Sequence, residues 1–223
     1  AATSVYGGVL PREGALVVDM SGWDRVLDVD AHAQTVRVQA GAIWEEVDYE
    51  IGDRGLMLRL HPSSYPSSTV GGWLAQGGSG FGSYEYGRFR DNVISARVIM
   101  PDGQTRVFEG DELGDLIADA EGITGIITEV TFRARPLEDK QVRLVSFPTV
   151  GALSDAAARI DADKVPLWSF TFLNPTSVKL KKQLPGRSCH AFEQAEVDAE
   201  VAAEKALPVS YLALMAYPSS RED

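Results

Sequence analysis

The chain has 223 residues, 44% hydrophobic and 24% charged, enough apolar content to bury a sizeable core in one or two domains. Its 21 Lys and Arg are outnumbered by 32 Asp and Glu, and a net charge of -11 repels a polyphosphate backbone, which argues against nucleic acid as a partner. A single cysteine, Cys189, leaves no internal disulfide, and no run approaches the roughly 20 apolar residues that span a bilayer, so the composition predicts a cytoplasmic protein, at most peripheral to a membrane, without a transmembrane segment.

The N-terminus reads AATSVYGG, with neither the basic start nor the apolar core of a secretory signal and no initiator methionine; a truncated chain is the expectation. Residues 15–19 (ALVVD), 26–30 (VLDVD) and 35–39 (TVRVQ) are rich in β-branched side chains and bounded by polar turns, the pattern of three short strands, with Val36, Val38 and Ala40 on one face. From residue 43 to 54 the period changes: Ile43, Val47 and Ile51 recur every four residues and Gly55 stands where a left-handed cap would end a helix.

Residues 61–88 break this texture, being dense in glycine and serine with little apolar periodicity. A flexible linker would lack large apolar side chains, yet Trp73, Leu74, Phe81, Tyr84 and Tyr86 lie inside it, so the segment reads as packed and ligand-shaping. A hairpin is expected next, with 93–100 (VISARVIM) and 104–108 (QTRVF) flanking Pro101, Asp102 and Gly103, then a strand over 125–132. Beyond Pro136 the pattern is strand (142–147), helix (150–160), strand (167–173), an acidic helix (193–205) and a strand (209–216), which puts a domain boundary between 136 and 141.

Two glycine clusters, at Gly7-Gly8 and from Gly71 to Gly82, suit a phosphate site, because a residue without a Cβ lets backbone amides approach an anion closely; by themselves they equally serve tight turns. The dinucleotide fingerprint of Rossmann folds fails on glycine spacing, the Walker pattern on its missing Gly-Lys-Ser/Thr, and the hydrolase elbow on Phe81 in its fifth position. His32, His61, His190 and Cys189 share no ligand spacing, so no metal site is expected.

Several separated stretches then combine in a specific order: AATS at 1–4, VVDMS at 17–21, TVRVQAG at 35–41, PSSTVGG at 66–72, Tyr86-Gly87 with Asp91-Asn92-Val93, VIMPDG at 98–103 and EGITGIITEV at 121–130. Together they resemble the flavin domain of the vanillyl-alcohol oxidase and D-lactate dehydrogenase superfamily, the PCMH-type FAD-binding domain. The resemblance implies an α+β fold of mixed and antiparallel sheets with flanking helices over residues 1–138, lacking its N-terminal part, and the start of an α+β substrate or cap domain over 139–223. It implies FAD contacts from Thr3 and Ser4 in one loop, from Pro66, Ser68, Thr69, Gly71, Gly72, Gln76, Gly77, Gly78 and Gly80 in a second, and from the main chain of Ile127. Many members attach FAD through a histidine in the first loop; Thr3 occupies the matching position, which implies non-covalent FAD. Trp73 follows the paired glycines where lactate-type members carry Asn, and is similar to the alkylglycerone-phosphate synthases instead.

The implied function is that of an FAD-dependent oxidoreductase acting on a small hydroxylated substrate, with a D-2-hydroxy acid as candidate, by hydride transfer to FAD. An electron-acceptor protein or an iron-sulfur subunit is the implied partner. The alternative is a non-catalytic flavin-binding or electron-transfer subunit of a larger complex. No catalytic residue is named, since the family's reacting groups come from the cap and a C-terminal segment beyond residue 223.

Overall fold

The computed structural model describes residues 2–4, 6–183, 198, 201–203 and 205–221. The chain divides into two compact units, residues 1–138 and 139–223. Among the described residues no helix is long and apolar enough to cross a membrane.

In the first unit, strands β1 (Val26–Asp30) and β2 (Thr35–Gln39) form an antiparallel hairpin whose turn is closed by the Asp30 carboxylate, which accepts from the amides of His32 and Ala33. β2 pairs with the long strand β6 (Ile126–Pro136), β6 with β4 (Val93–Ile99), and β4 with β5 (Thr105–Glu109), giving an antiparallel sheet in the order β1-β2-β6-β4-β5. A short β3 (Leu56–Leu58) extends the pairing along the C-terminal end of β6. The expected hairpin forms because Gly103 takes a left-handed φ of 80° and the Asp102 carboxylate accepts from the amide of Gln104.

Alternation decides which face of β2 is buried: Val36 and Val38 have no exposed surface and Ala40 has 4%. Helix α1 (Trp44–Gly52) covers them with Trp44, Val47 and Ile51, and the left-handed Gly55 follows its last turn, close to the sequence expectation. Four aromatic rings, Trp44, Trp73, Phe89 and Phe132, interlock at centroid distances of 4.9 to 5.8 Å, with Trp73 stacked on Phe89 and Trp44 edge-on to both. Such pairs contribute about 0.5–1.5 kcal/mol each beyond the area they bury.

The glycine-rich segment is more regular than its composition predicts. It contains helix α2 (Val70–Gln76) and the single-turn helix α3 (Ser83–Tyr86), followed by α4 (Phe89–Asn92). Trp73 and Leu74 enter the core as expected, whereas Phe81 and Tyr84 are each 40% exposed. Half-buried Tyr86 lies under the Arg59 guanidinium at 5.0 Å; burial first, then the nearby Glu85 carboxylate, pushes its phenol above the usual tyrosine range.

One expected strand does not form. Residues 15–19 carry no ladder, and Leu16, Val17 and Val18 are exposed. Three consecutive apolar residues give no polar-apolar alternation to choose a face, and among the described residues no strand pairs with them. Helix α5 (Gly110–Leu116) follows β5 without having been anticipated, because its acidic composition masks the one core contact it makes, through Leu113.

The second unit holds strand β7 (Lys140–Phe147), helix α6 (Val150–Ala162), strand β8 (Ser169–Leu173), helix α7 (Pro175–Gln183) and strand β9 (Tyr211–Pro218). The antiparallel sheet has the order β7-β9-β8, so the last strand inserts between the two earlier ones. Thr149 caps α6 by accepting from the amide of Ala152. Helix α7 was not read from its polar sequence. Of the expected acidic helix over 193–205, Asp198, residues 201–203 and Lys205 are described and helical, and the remainder, like Cys189 and His190, lies outside the described residues.

Candidate flavin site

The site is built on the seam between β2 and α2. Where β2 ends, the carbonyl of Ala40 accepts from the Gly71 amide at 2.8 Å, and the carbonyl of Ala42 from the Val70 amide at 2.9 Å. A Cβ on Gly71 would lie 2.5 Å from the Cβ of Ala40, so only glycine lets the helix approach the strand this closely. This seam aims the N-terminal turn of α2, and the loop before it, at a cavity of about 470 Å³, a volume suited to part of a nucleotide cofactor.

Two distant stretches line that cavity. Thr3 and Ser4 come from the N-terminal segment; Ser68, Thr69, Gly72 and Gln76 come from the loop and helix near residue 70. The structure thus brings six of the twelve expected contact residues to one wall. Tyr6, Ser64, Trp73 and Glu121 also line it and were not on the expected list; Glu121 stands at the head of the EGITGIITEV motif, where its position in the sequence was the available signal.

The other six expected contacts lie elsewhere. Gly71 is packed against Ala40 with its amide engaged. At Gly77, left-handed with φ 77°, a Cβ would stand 2.2 Å from Oδ1 of Asp119; at Gly80 it would stand 2.1 Å from the carbonyl of His61. Gly80 is thus required by close packing of the loop on itself, and Gly77 by its left-handed backbone and the Asp119 side chain that stands against it. Gly78, Pro66 and Ile127 do not line the cavity; Pro66 follows a cis peptide in the turn after Pro62, and Ile127 is 8% exposed and pairs with Val98 within the sheet.

Which groups could hold a diphosphate follows from the hydrogen bonds already made. The amides of Val70, Gly71, Gly72 and Trp73 are all committed, to Ala42, Ala40, the Thr69 hydroxyl and the Thr69 carbonyl. Bare backbone amides at this turn are therefore not free, in contrast to the expectation from glycine content. The hydroxyls are the available donors: Thr69 uses its oxygen only as an acceptor, from Gly72 at 3.3 Å, and Ser68 Oγ is buried without any hydrogen-bond partner. A buried hydroxyl left unpaired costs about 1–3 kcal/mol, so Ser68 is a donor that a ligand in the cavity would satisfy. Among the described residues no lysine or arginine lines the cavity; its charged side chain is Glu121. The donor set fits a diphosphate bridging two sugars, which carries its charge over several oxygens and accepts from neutral hydroxyls.

Residues 1–109 match the family described as FAD binding domain. The chain is 34% identical to the mitochondrial D-lactate dehydrogenase [cytochrome] of Arabidopsis thaliana over 165 residues, covering 70% of this chain and 29% of that protein. It is 29% identical to glycolate oxidase subunit GlcD of Bacillus subtilis, covering 77% of this chain and 38% of the relative. A solved alkyldihydroxyacetonephosphate synthase superposes with a TM-score of 0.73 at 26% identity, over 90% of this chain and 39% of that one. The chain thus spans between a quarter and two fifths of the length of these relatives. With the motif order, the antiparallel fold and the hydroxyl-lined cavity in agreement, the chain belongs to the vanillyl-alcohol oxidase superfamily of flavoproteins and carries its PCMH-type FAD-binding domain.

Proposed function

We propose that residues 1–138 hold FAD non-covalently in the cavity between the N-terminal segment and α2, and that the complete protein oxidises a small hydroxylated substrate by hydride transfer to that FAD. Residues 139–223 are, on this reading, the start of the substrate or cap domain. The observation that carries it is the convergence of Thr3 and Ser4 with Ser68, Thr69 and Gly72 on one cavity, with the Ser68 hydroxyl buried and unpartnered.

Bound FAD supplies the hydride-accepting ring. The chain's own part is to hold and orient: the seam of Gly71 on Ala40 fixes α2, and the Ser68, Thr69 and Ser4 hydroxyls donate to the diphosphate. Thr3 offers no nucleophile suited to a flavin linkage, which supports non-covalent attachment. Two relatives are named for D-lactate and glycolate, both 2-hydroxy acids, so a D-2-hydroxy acid is the first substrate to try. Electrons then pass to an acceptor protein or an iron-sulfur subunit. The single cysteine suits a reducing compartment, cytoplasmic in the first instance.

The experiment is the absorption spectrum of the longest natural form of the protein. Flavin bands that survive purification and are released by acid precipitation support the reading; bands that stay with the precipitate overturn the non-covalent part. A colourless protein that added FAD leaves unchanged overturns the whole.

A further inference from the structure

The first unit holds a second, much smaller cavity that shares no lining residue with the flavin cavity. Its volume is about 10 Å³, close to the least that admits one water-sized particle. Its wall includes Trp44 at the start of α1, Arg59 just after β3, Phe89 and Asn92 on α4, and Phe132 and Arg133 on β6. Trp44 is 1% exposed and its indole N–H has no hydrogen-bond partner, although buried donors are nearly always paired. The Asn92 amide donates to the carbonyls of Tyr86 and Arg88 at 2.8 and 2.9 Å, and its oxygen accepts from Arg59 at 3.3 Å. Arg59 also donates to the Ala134 carbonyl at 2.8 Å and lies over the Tyr86 ring, whereas exposed Arg133 has no ion-pair partner among the described residues. Burial draws the Arg59 guanidinium below the usual arginine range; the positive charges of Arg133 and Arg135 act in the same direction, and Tyr86 and Glu85 oppose them. Among the described residues no carboxylate lines this cavity.

We propose that this cavity is a site for a monatomic anion, with chloride as the natural occupant, held by the Trp44 N–H and the guanidiniums of Arg59 and Arg133. A water molecule would receive from the same donors, but it needs acceptors for its own hydrogens, and the side-chain acceptor on the wall, Asn92 Oδ1, is already engaged by Arg59. An anion needs no acceptor, and it offsets the repulsion between the two guanidiniums. The volume leaves no room for the four oxygens of a phosphate or a sulfate. A bound ion ties α1, the segment after β3, α4 and β6 together at one point, so its effect is on the stability of the first unit and is independent of flavin.

The test is thermal unfolding of the full-length protein in sodium chloride and in sodium gluconate at equal ionic strength, so that screening is held constant while chloride is replaced by an anion too large for the cavity. Chloride at about 0.1 M raises the wild-type Tm by about 2–4 °C over gluconate, and the rise saturates. Arg133→Gln, a change at an exposed side chain, moves the half-saturating chloride concentration up about 10-fold. Trp44→Phe, which keeps an aromatic ring and removes the donor, does the same. In crystals grown from sodium bromide, an anomalous peak lies in the cavity, within hydrogen-bonding reach of Trp44 Nε1 and Arg133. Equal Tm in the two salts overturns the proposal. So does a chloride dependence that Arg133→Gln leaves unchanged, which puts the ion elsewhere. A dependence that survives in Trp44→Phe also overturns it, and assigns the N–H to the ring of Phe89, to which Trp44 is edge-on. Should Trp44→Phe fail to fold, Arg133→Gln and the bromide map decide, and a map with no anomalous peak in the cavity rejects the site.

Discussion

Residues 15–20 and residues 35–41 run to the same point in the fold, yet one is exposed and unpaired and the other is a strand with two fully buried valines. Leu16, Val17 and Val18 are 89, 66 and 51% exposed; Val36 and Val38 are 0%. The difference is pairing. β2 is bonded on both edges, to β1 and to β6, and its inward valines belong to one buried cluster with the apolar side chains of α1 and α2, whereas among the described residues nothing ladders with 15–20. Strand propensity is satisfied only where a partner and a face to bury coincide.

The two regions meet at Gly41. Its amide donates to the Trp23 carbonyl at 2.7 Å, and a Cβ there would sit 2.0 Å from the carbonyl oxygen of Met20 and 2.7 Å from that of Trp23. Both obstacles are backbone, so neither can swing aside. Gly41→Ala is expected to have the largest effect, a loss of about 4 kcal/mol or more in denaturant unfolding, because it must part the exposed segment from β2. A loss under about 1 kcal/mol would mean that residues 20–23 yield freely, and that β2 owes nothing to the segment packed on its end.

Next comes Gly71→Ala, which drives a Cβ to 2.5 Å from that of Ala40 and pushes α2 off the strand; about 2–3 kcal/mol is expected, with FAD affinity falling alongside, since Ser68 and Thr69 move with the helix. Gly72 provides the contrast. A Cβ there meets only the Thr69 hydroxyl, at 2.7 Å, so Gly72→Ala should displace the cap and weaken FAD while costing about 1 kcal/mol of stability at most. Equal losses of stability for the two glycines would contradict the division into a packing face and a cavity face.

How far this was legible in the sequence depends on the period of each stretch. Val36, Val38 and Ala40 alternate, and Ile43, Val47 and Ile51 recur every four, so both elements and their buried faces could be read directly. The glycine-rich segment could be recognised as a site by its motif order, but not apportioned. Gly71 and Gly72 are neighbours of identical chemistry, and only the approach of Ala40 shows that the first serves packing while the second faces the cavity. Residues 15–19 were misread because pairing is a property of the partner, which local composition does not contain.

The same comparison predicts unequal responses to truncating valines. Val38→Ala opens a cavity between β2, α1 and β6 and should cost about 2 kcal/mol, read from the unfolding midpoint at constant m-value. Val17→Ser exposes nothing new and should fall within about 0.5 kcal/mol of wild type. A loss above about 1 kcal/mol at Val17 would show that the natural protein covers this segment after all.

The smallest expected effect concerns what little organises the exposed segment. The Asp19 carboxylate accepts from the amide of Ser21 at 2.9 Å, and that bond, followed by one from the Ser21 side chain, holds its carboxyl below the ordinary 3.8. A depressed folded-state value means the charged form is favoured by the native turn, so the contribution is present above pH 3.8 and disappears as the pH falls through the lower, native value. Side-chain NMR should therefore find Asp19 titrating below 3.8 in the folded protein, and Ser21→Pro, which removes the donating amide, should return it towards that value. Asp19 is exposed, so its own part in the acid sensitivity of the fold should be small, and wild type and Asp19→Asn should lose stability in parallel as the pH falls through this range. If protonating Asp19 instead unfolds β2, the turn at 19–21 is coupled to the sheet through the Met20 carbonyl that crowds Gly41, and the segment that looks naked is an integral part of the strand beside it.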